Sequence, residues 1–251
     1  RGALRVGGVV GLPGRGGRTP VPPLLVMLFG VAPAVAVGTD LLYAGITKAG
    51  GSVIHNRQRS VHWNIALLLA AGSVPSAVLT TLALRHAGDL QESVSGTVKF
   101  GLGVMLLVSA FSIFFRDRLH RFVSRANRRP IALQSQLIAT VILGVVLGGL
   151  VTLTSVGAGA LGAAVLALLY PRLSTHQVVG TDIAHAVPLT LVAGAGHMVL
   201  GTVNYPLLAS LLLGSLPGIW LGSRYCGALP ERPVRMCLAL VLLVIGVKLV
   251  W

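Results

Sequence analysis

The sequence predicts an all-α polytopic membrane protein built from two homologous helical halves, an inverted repeat with broken or re-entrant glycine-rich helices. Three observations predict it. Only 10% of the 251 residues are charged and 54% are hydrophobic, with a mean hydropathy of +0.85. A water-soluble domain carries about 25% charged residues. Apolar runs recur along the chain, and a run of about 20 residues spans a bilayer as a helix. Finally, several motifs return at one fixed spacing, the signature of an internal repeat.

The apolar runs fall at 20–30, 34–54, 63–84, 97–115, 132–152, 156–170, 176–200, 204–222 and 234–251. Residues 1–115 form the first half, 116–131 a hydrophilic loop and 132–251 the second half. Gly38-Thr39-Asp40 and Gly180-Thr181-Asp182 stand 142 positions apart. His55 and His197 keep that spacing, as do Trp63 and Tyr205, and Gly72-Ser73-Val74-Pro75 and Gly214-Ser215-Leu216-Pro217. Paired repeats are a common plan for transporters. By the same offset, the counterpart of 132–152 falls mostly before residue 1. The first half therefore reads as lacking most of its opening helix, which points to a truncated or misassigned start. The 32 glycines and 13 prolines fit the class, since both are commoner in membrane helices than in soluble ones. Pro75 and Pro217 are expected to kink equivalent helices.

Positive charge orients the halves. Arg116, Arg118, Arg121, Arg125, Arg128 and Arg129 crowd the loop 116–131, which places it on the cytoplasmic side. Counting back, the turn 55–62 with Arg57 and Arg59 is cytoplasmic too. Its partner at 201–203 carries no charge, and the basic turn of the second half is the next one, with Arg224, Arg232 and Arg235. A charge that moves by one loop between halves is what inverted topology predicts. This requires 132–152 and 156–170 to return to the cytoplasmic side, as a hairpin or a re-entrant pair.

The net charge of +14 raises nucleic-acid binding, but its concentration in one inter-span loop argues against that class. The chain shows no metal-ligand cluster and no nucleophile–base pair, so neither a metal nor another cofactor is predicted, and an enzyme is disfavoured. Cys226 and Cys237 form no framework and read as structural. No cleavable signal peptide is visible, and the chain begins with Arg.

Asp40 and Asp182 each lie about two turns into an apolar run. A carboxylate at membrane depth costs several kcal/mol unless paired or protonated, and marks function by default. In that functional reading both acids sit at the substrate, and Thr39 and Thr181 donate hydroxyl hydrogen bonds to it; the plainer alternative is a cap on a broken helix, with the same threonines assisting. The glycine-rich stretches "LPGRGGRTPVPP" (12–23) and "TSVGAGALGA" (154–163) free the backbone to break a helix and approach a ligand. Amides there, at Gly14, Gly16, Gly17, Ser155, Gly157 and Gly159, could bind an anion at half-helix ends. Close helix packing is the alternative. Lys48, whose repeat partner is Thr190, either attracts an anion, pairs with Asp40 or snorkels to an interface. His55, His197 and His185 are proton-coupling candidates alongside the aspartates, against structural hydrogen bonding.

The ordered set of these motifs resembles the sulfite exporter TauE/SafE family. The residues that carry the resemblance are the glycine stretches, Gly30–Trp63, "GSVP" at Gly72–Pro75, "VVGTDIAHAVPLTLVAGAGH" and "GSLPGIWLG". It covers nearly the whole chain. It implies a secondary carrier for a sulfur-containing anion or a small carboxylate or sulfonate in the bacterial inner membrane, coupled to protons. The first glycine stretch departs from the family's Thr-Gly-Val-Gly-Gly-Gly pattern, because Pro13, Arg15, Arg18 and Pro20 intrude. Either the arginines bind the anion, or the start is not the native reading. The expected partners are a small anion and the bilayer, with a homo-oligomer left open. The competing readings are a membrane scaffold and a membrane-embedded enzyme.

Overall fold

The computed structural model describes residues 21–86, 100, 103–104, 107, 110–111, 114, 133–156, 159, 161–225, 236, 240, 243–244 and 246–248. All regular structure among them is helical. The elements are α1 (Val21–Phe29), α2 (Pro33–Arg57), α3 (Trp63–His86), α4 (Leu133–Thr154), α5 (Leu161–Leu169), α6 (Thr175–Val199) and α7 (Tyr205–Tyr225). The basic loop 116–131 and residues 12–20 of the first glycine stretch, with Gly14, Gly16 and Gly17, lie outside the described residues, as does Gly157.

Among the described residues, three helices are long and apolar enough to cross a membrane: Trp63–His86, Gln134–Thr154 and Thr175–Val199. α2 is as long as α6, at 25 residues, but carries Asp40 and Lys48 in its middle. α5 has nine residues. At 1.5 Å per residue it reaches roughly 13 Å, under half of the ~30 Å hydrocarbon core. The apolar run 156–170 therefore contains a half-helix that cannot span the bilayer.

α2 packs along α6, and α3 packs along both α4 and α6. The α3–α4 contact is close because glycines meet backbone there. Gly72 lies against the Val141 carbonyl, Gly144 against that of Leu69 and Gly148 against that of Ser73. Small residues allow this approach in lipid, where packing rather than hydrophobic exclusion joins helices. The Ser76 hydroxyl donates across the same seam to Val145 O at 2.7 Å. Pro75 sits inside α3 without ending it.

Two side clusters flank the centre. One gathers Ile65, Leu69, Leu143, Leu147, Leu166 and Val178 between α3, α4, α5 and α6. The other gathers Val21, Leu25, Ala36, Tyr43 and Leu211, with Leu207 packed on it, between α1, α2 and α7. Ile65 and Leu207, Leu69 and Leu211, and Ala36 and Val178 are pairs spaced by 142 positions, so equivalent residues occupy equivalent clusters. The central cluster, with Val37, Leu41, Val151, Ala186 and Leu189, joins α2, α3, α4 and α6.

Candidate functional site

One Gly-Thr-Asp motif lies on α2 and the other on α6, and the threonine and aspartate of each are buried. The glycine of each receives the turn that follows the other helix. A Cβ on Gly38 would come 2.6 Å from Thr202 O, and one on Gly180 would come 2.8 Å from Ser60 O. The neighbouring threonine accepts a backbone hydrogen bond from the same turn. Asn204 N donates to Thr39 Oγ1 at 3.0 Å, and His62 N donates to Thr181 Oγ1 at 3.0 Å. These hydroxyls thus tie α2 to the turn after α6, and α6 to the turn after α2.

Both turns end their helices in the same way. Arg59 N bonds to Asn56 O and Ser60 N to His55 O; Gly201 N bonds to Met198 O and Thr202 N to His197 O. This is the Schellman pattern, with a left-handed residue just past the helix. That residue is Arg59 (φ 51°) in one turn and Gly201 (φ 69°) in the other. His55 Nδ1 pairs with Ser60 Oγ at 2.9 Å, and His197 Nδ1 with Thr202 Oγ1 at 2.8 Å. His197 Nε2 also bonds to Thr152 O at 2.9 Å, whereas the His55 ring stands 5.2 Å from that of His176.

The aspartates face the break that follows α4. Ser155 is a non-glycine residue held at φ 56°, a conformation that costs of order 1 kcal/mol or more and survives where the surroundings impose it. Its hydroxyl donates to Asp40 Oδ2 at 2.7 Å. Across the break, Asp182 Oδ1 lies against Gly162 in the first turn of α5, where a Cβ would collide with it. Lys48 on α2 lies within electrostatic range of both carboxylates and of His185. His185 is 1% exposed, and its Nε2 pairs with Ser73 Oγ at 2.9 Å. The equivalent pair, 142 positions away, is Tyr43 with Ser215.

The structure therefore brings Asp40, Ser155, Asp182, Lys48 and His185 together, with Gly159 in the break itself. His55 and His197 stand apart from them, in the two turns. Ser60, His62, Thr202 and Asn204 form the turn contacts and were not singled out in the sequence. The 142-residue spacing pairs them, and that signal was available. Ser73 and Tyr43 lay inside or next to recognised motifs. Gly162 carries no sequence mark of its role, because only tertiary packing sets it against Asp182.

The family profile described as "Sulfite exporter TauE/SafE" matches residues 2–249. Among curated proteins, the chain is 39% identical over 247 residues to "Probable membrane transporter protein YjnA" of Bacillus subtilis (strain 168), covering 98% of this chain and 96% of that one. It is 25% identical over 250 residues to "Probable membrane transporter protein YdhB" of the same organism, covering 98% of this chain and 96% of that protein. To "Probable membrane transporter protein YunE", again of that organism, it is 25% identical over 264 residues, covering 98% and 93%. No solved structure matches the chain.

Proposed function

Because the chain belongs to the sulfite exporter TauE/SafE family and is a membrane transporter, we propose that it is a proton-coupled secondary carrier for a small sulfur-containing anion. Sulfite, thiosulfate and a sulfonate are the first substrates to consider. The proposed membrane is the bacterial inner membrane, with the loop 116–131 cytoplasmic. The two halves, 1–115 and 132–251, move against each other as an inverted repeat and expose one site alternately to either side.

One observation carries this reading: the acids of both Gly-Thr-Asp motifs face the break between α4 and α5, with Lys48 in range of both. Broken backbone at membrane depth persists only where it is buried in protein or lines a cavity. A helix start leaves its first amides without intrahelical partners and carries the positive end of the dipole, which favours an anion at the start of α5. Asp182 beside Gly162 competes with an anion for that position while it is ionised. Once protonated, it yields the amides and can donate a hydrogen bond instead. Proton binding and anion binding then favour each other, which is the coupling required of a carrier. Asp40 is held at the break by Ser155, and Lys48 supplies positive potential to both partners. Thr39 and Thr181 position the motifs through the two turns and keep their hydroxyl hydrogens for a substrate oxygen.

The test is flux in proteoliposomes loaded with labelled sulfite, thiosulfate or a sulfonate, under an imposed pH gradient. Wild-type protein should accumulate one of these anions, and Asp40→Asn and Asp182→Asn should abolish the pH-driven part. Gradient-driven flux that survives both substitutions would reduce the aspartates to helix caps.

A further inference from the structure

α3 and α6 pack side by side, and the seam between them opens into a groove of about 270 Å³ at the end of the molecule where both helices stop. Val78, Leu82 and Arg85 on α3 and Ala195, Gly196 and Val199 on α6 are among its lining residues. The spacing by three or four residues makes one continuous stripe on each helix. Gly196 lets the helices close at Thr81, whose hydroxyl a Cβ would meet at 2.5 Å. Ala195 beside it leaves the room. Val78, Leu82 and Val199 are exposed, so the groove opens towards the bilayer and not into the protein.

The groove is apolar along its length and charged at one end. Thr81 is in the wall too, but its hydroxyl is spent on Ala77 O at 2.9 Å. Arg85 is the one group there that can recognise a ligand by charge. It is exposed and has no ion-pair partner among the described residues. Asp40 and Asp182, the acids among those residues, are buried at the break after α4. The depth of Arg85 follows from the other end of its helix. Trp63 begins α3 and donates its indole N–H to Asn56 Oδ1 at 3.0 Å, as a tryptophan at a membrane–water interface does. Arg85 stands 22 residues on, roughly 33 Å along the helix, which matches the ~30 Å hydrocarbon core. The guanidinium is therefore at headgroup level, and the stripe below it runs about 10 Å inward to Val78. At the positions 142 residues away, Val53 and Ile54 replace Ala195 and Gly196, and Gly227 replaces Arg85. The small pair and the arginine occur together once.

We propose that this groove binds an anionic phospholipid, with the phosphate on Arg85 and part of one acyl chain between α3 and α6. Guanidinium matches phosphate oxygens with a planar fork of donors. A zwitterionic lipid offers the same chain but brings an ammonium group that opposes Arg85. The inference needs the membrane class and the packing of α3 on α6, and is independent of the transported anion and of proton coupling.

Native mass spectrometry of the full chain, delipidated in detergent and then given equal amounts of phosphatidylglycerol and phosphatidylcholine, tests it. Wild-type protein should retain one phosphatidylglycerol with about fivefold preference, the selectivity of one basic residue at a lipid surface. Arg85→Gln should bind the two lipids equally. Ala195→Phe fills the groove from an exposed position and should lower retention of both lipids about tenfold, the equivalent of about two buried methylenes. Val78→Phe repeats the filling from α3, so misfolding of one variant does not decide the result. Leu79→Phe, at a position 66% exposed and outside the groove, should change nothing. Wild-type protein without a preference would reduce Arg85 to a side chain that snorkels to the interface, and would overturn the site. A preference that survives Arg85→Gln, or retention that survives both filling variants, would overturn it as well.

Discussion

The turn that ends α2 and the turn that ends α6 are built to one plan from different residues. Each closes its helix with the same two backbone bonds, places a histidine against a hydroxyl and donates one N–H to the threonine of the opposite motif. They differ in what surrounds them. His197 is 1% exposed and spends its second nitrogen on Thr152 O, so the turn after α6 is fastened to the end of α4. His55 is only half-buried, faces His176 and is followed by the exposed Arg57 and Arg59. The left-handed position is glycine in one turn and arginine in the other. The turn after α2 is the looser of the two. Equivalent backbone with unequal anchoring allows one end of a molecule to yield before the other.

The shared part of the plan is tested most severely at the glycines. Gly38→Val and Gly180→Val should each destabilise the protein by about 3 kcal/mol, since the new side chain meets backbone that cannot retreat. Chemical unfolding in detergent micelles would read this, and tolerance of valine at one site alone would break the equivalence. The unequal part is tested at the histidines. His197→Ala should cost about 2 kcal/mol, because it strips a buried carbonyl and a hydroxyl of their partner. His55→Ala should cost clearly less in the same assay, and a reversed order would refute the difference in anchoring. Thr39→Val and Thr181→Val should each lose about 1 kcal/mol, since each leaves one backbone N–H without its acceptor. The smallest effect should distinguish the turns most finely. Arg59→Gly should stabilise by about 0.5 kcal/mol, the relief of a left-handed L-residue less the extra chain entropy of glycine. Gly201→Ala should instead destabilise, and thermal melts of the pair would check the opposite signs.

Much of this was legible before any coordinates. The helix bounds at 33–57, 63–86, 133–154 and 175–199 follow the apolar runs closely, because in lipid a span has to satisfy its own backbone and so reads as one unbroken apolar stretch. The fixed 142-residue spacing identified Asp40 with Asp182 and His55 with His197 as equivalent positions. It did not say what each would touch. Thr39 and Thr181 were expected as substrate donors, and the structure gives both a backbone N–H to accept. Lys48 was read with Asp40, two turns earlier on its own helix. The structure adds Asp182 from the facing helix, a neighbour that no spacing along one chain could supply.

By itself the sequence determined the membrane class, the helix positions, the equivalence of the Gly-Thr-Asp motifs and the family, since each is written in local composition or in a constant offset. Which groups share a site was decided only by tertiary structure. Glycines let backbone meet backbone across helix seams, and that close approach sets Ser155 on Asp40 and Gly162 on Asp182. Such contacts depend on how far two helices interpenetrate, a property of the packed pair that neither strand of sequence carries alone.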